Sequence, residues 1–137
     1  MSTSNIYYMN KFFIYIFTIC ALISCQKSDE IKFNIDYFEI DYQAQEVILK
    51  TDKNIWMATY DVAKSDTEFV DHYTEKGVSY SVGEWFVVIH KHSSHRQAVV
   101  SVEENQTDKD RKVVIWVNDV DDNIDYATIV QKAKPTE

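Results

Sequence analysis

Apolar residues fall at every second position through most of the chain after residue 30, and no stretch carries a sustained helical stripe. Such alternation gives each strand two unlike faces, so the apolar side chains can be buried only by laying one sheet on another. The pattern is clearest in the second half. Ala98, Val100 and Val102 share one face, and Val113, Ile115 and Val117 share the next. After the acidic segment Asp119 to Asp125, the chain returns as Tyr126 to Gln131 with Ile129 inward. Earlier, Val47, Leu49 and Thr51 alternate, and Trp56, Ala58 and Tyr60 follow a polar turn at Asp52-Lys53-Asn54. Ile31, Phe33, Ile35 and Tyr37 alternate, whereas Phe38, Ile40 and Tyr42 do so in the opposite phase. That phase change predicts a bulge or a switch between sheets near Tyr37. Glu84 to His90 is apolar on both faces, as in a covered central strand or an edge strand lying against a loop. Val78 to Val82 is expected to be a short strand, and the mostly polar residues 63 to 77 a long surface connection. Seven or eight short strands at this spacing predict an all-β, antiparallel sandwich. The chain has only two glycines and one proline, so Asn, Asp and Ser must supply most turns.

The N-terminal segment obeys different rules. Met9-Asn10-Lys11 supplies a positive start and Phe12 to Ser24 an uncharged apolar run of 13 residues. That is too short for a transmembrane helix, which needs about 20. Leu22-Ile23-Ser24-Cys25 resembles the bacterial lipobox, in which the cysteine thiol is acylated and becomes the first mature residue; an ordinary signal with incidental cysteines is the alternative. Met9 makes a better start than Met1, since the residues between them add nothing a signal needs. The expected organisation is a signal peptide over 1–24, acylated Cys25 with a tether over 25–31, a domain over 32–134 and a tail over 135–137. Cys20 and Cys25 are the only cysteines, so the mature chain has no disulfide available. The tether Gln26-Lys27-Ser28-Asp29-Glu30 resembles the signal by which Bacteroidetes send lipoproteins to the outer face of the outer membrane, and is otherwise a solvated linker. The expected location is therefore the outer membrane, by a lipid anchor, facing the cell surface or the periplasm.

After Cys25 the chain carries 13 basic and 22 acidic residues. This balance disfavours nucleic acid and anionic membrane surfaces as partners, because both need positive charge to replace counterions. The mature chain has no thiol nucleophile other than the acylated cysteine, no glycine-built serine elbow and no glycine-rich phosphate loop. The expectation is a non-catalytic protein without a cofactor.

Trp85-Phe86-Val87-Val88, then Val100-x-Val102-x-x-Asn105-x-Thr107-x-x-x-Arg111-x-Val113-x-Ile115-x-Val117 and finally Ile129-x-Gln131, resembles the BACON domain, an immunoglobulin-like sandwich of Bacteroidetes. Val47-x-Leu49-x-Thr51 and Trp56 fit its first half, and the insertion between Tyr60 and Trp85 departs from it. The resemblance spans roughly residues 33 to 133. It implies an immunoglobulin-like, extracellular module with a glycan or mucin role, or else a plain spacer or protein-interaction subunit of an outer-membrane assembly. The pattern residues also have structural accounts. Asn105 and Thr107 can hydrogen-bond the backbone of a turn, Arg111 can pair with Asp108 or Asp110 or bind turn carbonyls, and Gln131 can satisfy a neighbouring strand.

Three groups of residues are candidates for a site. With Val113, Ile115 and Val117 inward, Trp116 points outward, as does Tyr126 on the return strand. Pairing Asn118 with Tyr126 would make Trp116 and Tyr126 diagonal neighbours, with Asn118 and Lys112 beside them. Such a patch suits the apolar face of a sugar ring, unless the N-terminal strand or the long loop covers it. Trp56 and Trp85 lie on inward phases and are expected in the core. His90, His92 and His95 form a weak metal candidate, two of them sharing a strand face, with a solvated loop as the alternative. Asp119-x-Asp121-x-Asn123-x-Asp125 resembles the opening of a calcium loop but has Ile124 and Val130 where such a loop needs glycine and glutamate, so an acidic hairpin turn is expected.

Overall fold

The computed structural model describes residues 30–68 and 71–137; the segment expected to be a signal peptide and Cys25 lie outside them. The described chain forms nine strands: β1 Tyr37–Ile40, β2 Gln45–Lys50, β3 Met57–Tyr60, β4 Asp71–Glu75, β5 Val78–Val82, β6 Phe86–Lys91, β7 Gln97–Val102, β8 Arg111–Asn118 and β9 Ile124–Gln131. A 3₁₀ turn at Val62–Lys64 is the one helical element among the described residues.

The strands make two sheets, one ordered β1-β9-β8-β3 and the other β2-β7-β6-β5-β4. Every pairing is antiparallel except β1 with β9, which is parallel. The chain crosses between sheets after β1, β2, β3 and β7. This places the second, sixth and seventh strands in one sheet and the third, eighth and ninth in the other, the arrangement of an immunoglobulin-like sandwich. The β4–β5 hairpin extends the edge beyond β6.

The core follows from the alternation. Val47, Leu49, Phe86, Val88, Ala98, Val100 and Val102 from one sheet meet Ala58, Tyr60, Val113, Ile115, Val117, Ala127 and Ile129 from the other. Each fully buried aliphatic or aromatic side chain contributes about 1.5–3 kcal/mol. Among the described residues every core side chain lies at or after Ile31, and the chain from Gln26 onward contains all of them. Tyr60 crosses the core and donates its hydroxyl to the Val82 carbonyl at 3.0 Å, with the Phe86 ring edge-on at 4.7 Å.

Three expectations are corrected. There are nine strands among the described residues, not seven or eight, because the polar stretch 63 to 77 contains β4. All five β4 residues are exposed, so no apolar period marks it. Its hairpin closes on Lys76 and Gly77, with φ of 49° and 74°, a two-residue turn whose positive φ values match strand twist. Trp56 is also not a core residue: it is 70% exposed, and Ile55 is buried in its place. Its in-phase spacing with Ala58 misleads because β3 begins only at Met57.

The switch near Tyr37 is real and begins slightly earlier. Phe33 bridges Thr51 beside β2, while β1 joins β9 in the opposite sheet. Ile35 and Tyr37 are left exposed in between, and Phe38 and Ile40 turn toward the core. β6 is a central strand between β5 and β7.

Candidate functional sites on the outer face and at one end of the sandwich

The outer face of the four-stranded sheet is set by register. Thr59, Trp116 and Tyr126 form one row across β3, β8 and β9, and Met57, Asn118 and Ile124 form the next. Trp116 stands directly opposite Tyr126, two residues away from the diagonal pairing expected, because β8 and β9 stay paired out to Asn118 and Ile124 and shorten the turn between them. Trp116 is half-buried and Tyr126 is 42% exposed. In a third row, Tyr37 of β1 and Thr128 extend the same face.

Asn118 flanks Trp116 on this face and is buried, with its Oδ1 lacking any hydrogen-bond partner. Its Nδ2 reaches only Asp122 Oδ1, at 3.5 Å. Lys112 lies four residues along β8, about 13 Å from Trp116, and its backbone N–H donates to Asp66 Oδ2 at 2.8 Å. The cation at the aromatic pair is Lys64. Its Nζ sits 4.1 Å from the Tyr126 ring centroid and 3.4 Å from Asp61 Oδ2. The 3₁₀ turn that carries Lys64 is fixed against β8 by Asp61 N–H to the Val114 carbonyl and Val114 N–H to Ser65 Oγ. That turn covers Val114 and leaves Trp116 and Tyr126 at its margin.

Three of the four histidines, His90, His92 and His95, gather at one end of the sandwich. His90 closes the inward face of β6 and is 2% exposed, with neither ring nitrogen hydrogen-bonded. The His92 ring lies 5.7 Å away and its Nε2 meets Ser79 Oγ at 2.9 Å. Burial, and then the nearby His92 and His95 rings, depress the His90 pKa and keep the ring neutral. Together with Ile55 and Trp56, the three histidines line a cavity of about 280 Å³. Its walls are held by backbone bonds: Ile55 N–H to the His95 carbonyl at 2.6 Å and His92 N–H to the Gly77 carbonyl at 2.9 Å. Among the described residues, no three His, Cys, Asp or Glu side chains stand where they could hold one metal ion. Sequence reasoning missed Trp56 as a wall of this cavity; the adjacent Ile55, which competes for the inward position, was the available signal.

The remaining motif residues are structural. Asn105 is fully buried. Its Nδ2 donates to the carbonyls of Lys109 and Lys132, and its Oδ1 accepts from the Thr107 N–H and hydroxyl. The Gln131 Nε2 reaches the carbonyls of Tyr42, Gln43 and Glu103. Arg111 binds the Glu103 carbonyl and Gln131 Oε1, not Asp108 or Asp110. Trp85 is in the core as expected, with its indole N–H on the Asp66 carbonyl. Asp119 organises the acidic hairpin, accepting from the N–H groups of Asp121 and Asn123 and from the Asn123 amide, which hold its carboxyl below the usual range.

No family model matches the chain, and no curated protein matches it. Among solved structures it is similar to the NMR structure of a protein from Bacteroides thetaiotaomicron. The two are 16% identical with a TM-score of 0.56, over 82% of this chain and 94% of that one. The likeness is one of fold. A Bacteroides ovatus GH5 xyloglucanase, solved with a XXXG heptasaccharide, matches at 14% identity and a TM-score of 0.48, over 78% of this chain and 20% of that chain.

Proposed function

We propose that this chain is a non-catalytic glycan-binding module, anchored to the outer membrane through acylated Cys25 and related to the BACON domains. The observation that carries the reading is the outer sheet face. Trp116 and Tyr126 are paired on it, and in the adjoining row Asn118 keeps a buried carbonyl oxygen without a partner. A buried acceptor left unpaired costs about 1–3 kcal/mol, a cost that a ligand hydroxyl would remove. Beside it the rings offer an apolar surface to the C–H face of a sugar, and Lys64 and Asp61 add polar groups at the rim. A flat face of this kind fits the side of a polysaccharide or mucin-type chain.

The test is a glycan array probed with the chain from Gln26 onward and with its Trp116→Ala and Asn118→Ala variants. Binding that falls at least tenfold in both variants is the expected result. A folded domain that binds no glycan would defeat the reading. It would then favour a spacer or protein-interaction subunit, for which the fully exposed edge strand β4 is the supporting feature. The anchor is tested separately, since metabolic labelling with a clickable fatty acid should mark the wild-type protein and not Cys25→Ser.

A further inference from the structure

We infer that the cavity between Trp56 and His90 is a second binding site, one that takes a single uncharged ring bearing hydroxyl groups, such as the terminal unit of a glycan. The inference deepens the glycan reading and rests on it for the source of the ring, but it concerns a different end of the molecule.

His90 is the first ground for it. A side chain that is 2% exposed ordinarily has its polar atoms paired, yet both ring nitrogens of His90 are without partners and the ring lines the cavity. A neutral imidazole presents one donor and one acceptor on opposite edges of its ring, and a hydroxyl, which can both donate and accept, answers either one. The second ground is Trp56. It is 70% exposed and lines the same cavity next to buried Ile55, so the lining combines an apolar platform with a polar group.

Size and charge narrow the ligand. About 280 Å³ falls just under the roughly 300–1,000 Å³ typical of sites for larger organic ligands, so the space suits one ring and not a chain of them. Among the described residues no carboxylate, lysine or arginine lines the cavity, which favours an uncharged ligand. The histidines are not arranged around a common metal position, and His92 is turned to Ser79. Three segments, the lead into β3, the β6–β7 turn and the β4–β5 turn, meet at the walls through the Ile55–His95 and His92–Gly77 backbone bonds, so the space is framed before any ligand arrives.

The experiment is an NMR titration of the chain from Gln26 onward with the methyl glycosides of glucose, galactose, mannose, xylose, fucose and N-acetylglucosamine. It follows the Trp56 indole N–H and the His90 ring nitrogens. At least one glycoside should shift both sets of signals saturably in the millimolar range. Trp56→Ala should weaken that binding tenfold or more, and it can be read without loss of fold because the side chain is exposed. His90→Gln, which keeps a donor and an acceptor, should bind more tightly than His90→Phe.

Glycosides that leave Trp56 and His90 unmoved overturn the inference, as do shifts that survive Trp56→Ala unchanged. Zinc chloride shifting the His90 ring nitrogens where no glycoside does would overturn it in favour of a metal site. Array binding lost in Trp116→Ala but kept in Trp56→Ala, with an unresponsive cavity, would leave the outer-face reading standing and remove this one.

Discussion

The guanidinium of Arg111 lies over the Trp85 ring, its central carbon 4.3 Å from the ring centroid. The same side chain donates to Gln131 Oε1 and to the Glu103 carbonyl, each at 2.9 Å. Arg111 thus ties the start of β8 to the end of β9, to the chain leaving β7 and to the aromatic residue before β6. Arg111→Ala should lower the unfolding free energy by about 2–3 kcal/mol, since it removes a stacked cation and two hydrogen bonds from a charged donor. Arg111→Lys should recover less than half of that, because an ammonium has no planar fork. Urea denaturation of the two variants measures both; a lysine variant as stable as wild type would contradict the account.

Asn105 offers a stronger case. Its amide satisfies two carbonyls and accepts from Thr107 twice in a fully buried position. Asn105→Ala should cost about 3 kcal/mol or more, because the carbonyls of Lys109 and Lys132 lose the amide donor and the Thr107 N–H loses its acceptor. A shift in thermal midpoint of several degrees, larger than that of Thr107→Ala, is the expected reading.

The two glycines should fail for different reasons. A Cβ at Gly83 would collide with the Phe86 ring, so Gly83→Ala should cost about 1–3 kcal/mol by overpacking. Gly77 has open space around it but a φ of +74°, so Gly77→Ala should cost about 1 kcal/mol through its backbone alone. Adding Phe86→Leu makes room beside residue 83 only. The double variant with Gly83→Ala should therefore show a favourable coupling in a mutant cycle, and the pair with Gly77→Ala should be additive.

Stability should fall with acid in two separate ranges. His90 has a pKa depressed below its ordinary 6.5, so the unfolded chain binds its proton first. Its contribution is present above pH 6.5 and is lost as pH falls from there toward the folded value. Asp110 and Asp119 are held below 3.8, Asp110 chiefly by the Ala133 N–H and Asp119 chiefly by the Asn123 amide, so their contributions are lost only as pH drops below that value. Urea midpoints taken from pH 8 to pH 3 should show the upper limb vanish in His90→Phe while the lower limb remains.

The sandwich was legible because its core is written as alternation. Val113, Ile115 and Val117, or Ala98, Val100 and Val102, can satisfy a period of two only by turning one face inward, and each does. The polar motif residues were legible for a related reason: Asn105 and Gln131 fall where a turn or a strand end leaves backbone groups to be paired. β4 was not legible, since an edge strand exposed on both faces needs no apolar period. Trp56 was misplaced because its spacing matches Ala58, although the strand that would turn it inward starts one residue later.

What the sequence determined by itself is therefore local: which residues alternate, where the phase breaks near Tyr37, and which face of β8 carries Trp116. The tertiary structure decided which distant segments share a space. The register that sets Trp116 opposite Tyr126, the turn that brings Lys64 onto that ring and the end cavity that joins Trp56 to His90 all depend on how strands far apart in sequence are laid side by side. Period-two patterning specifies a strand's two faces but carries no information about its neighbour, and a binding surface is made of neighbours.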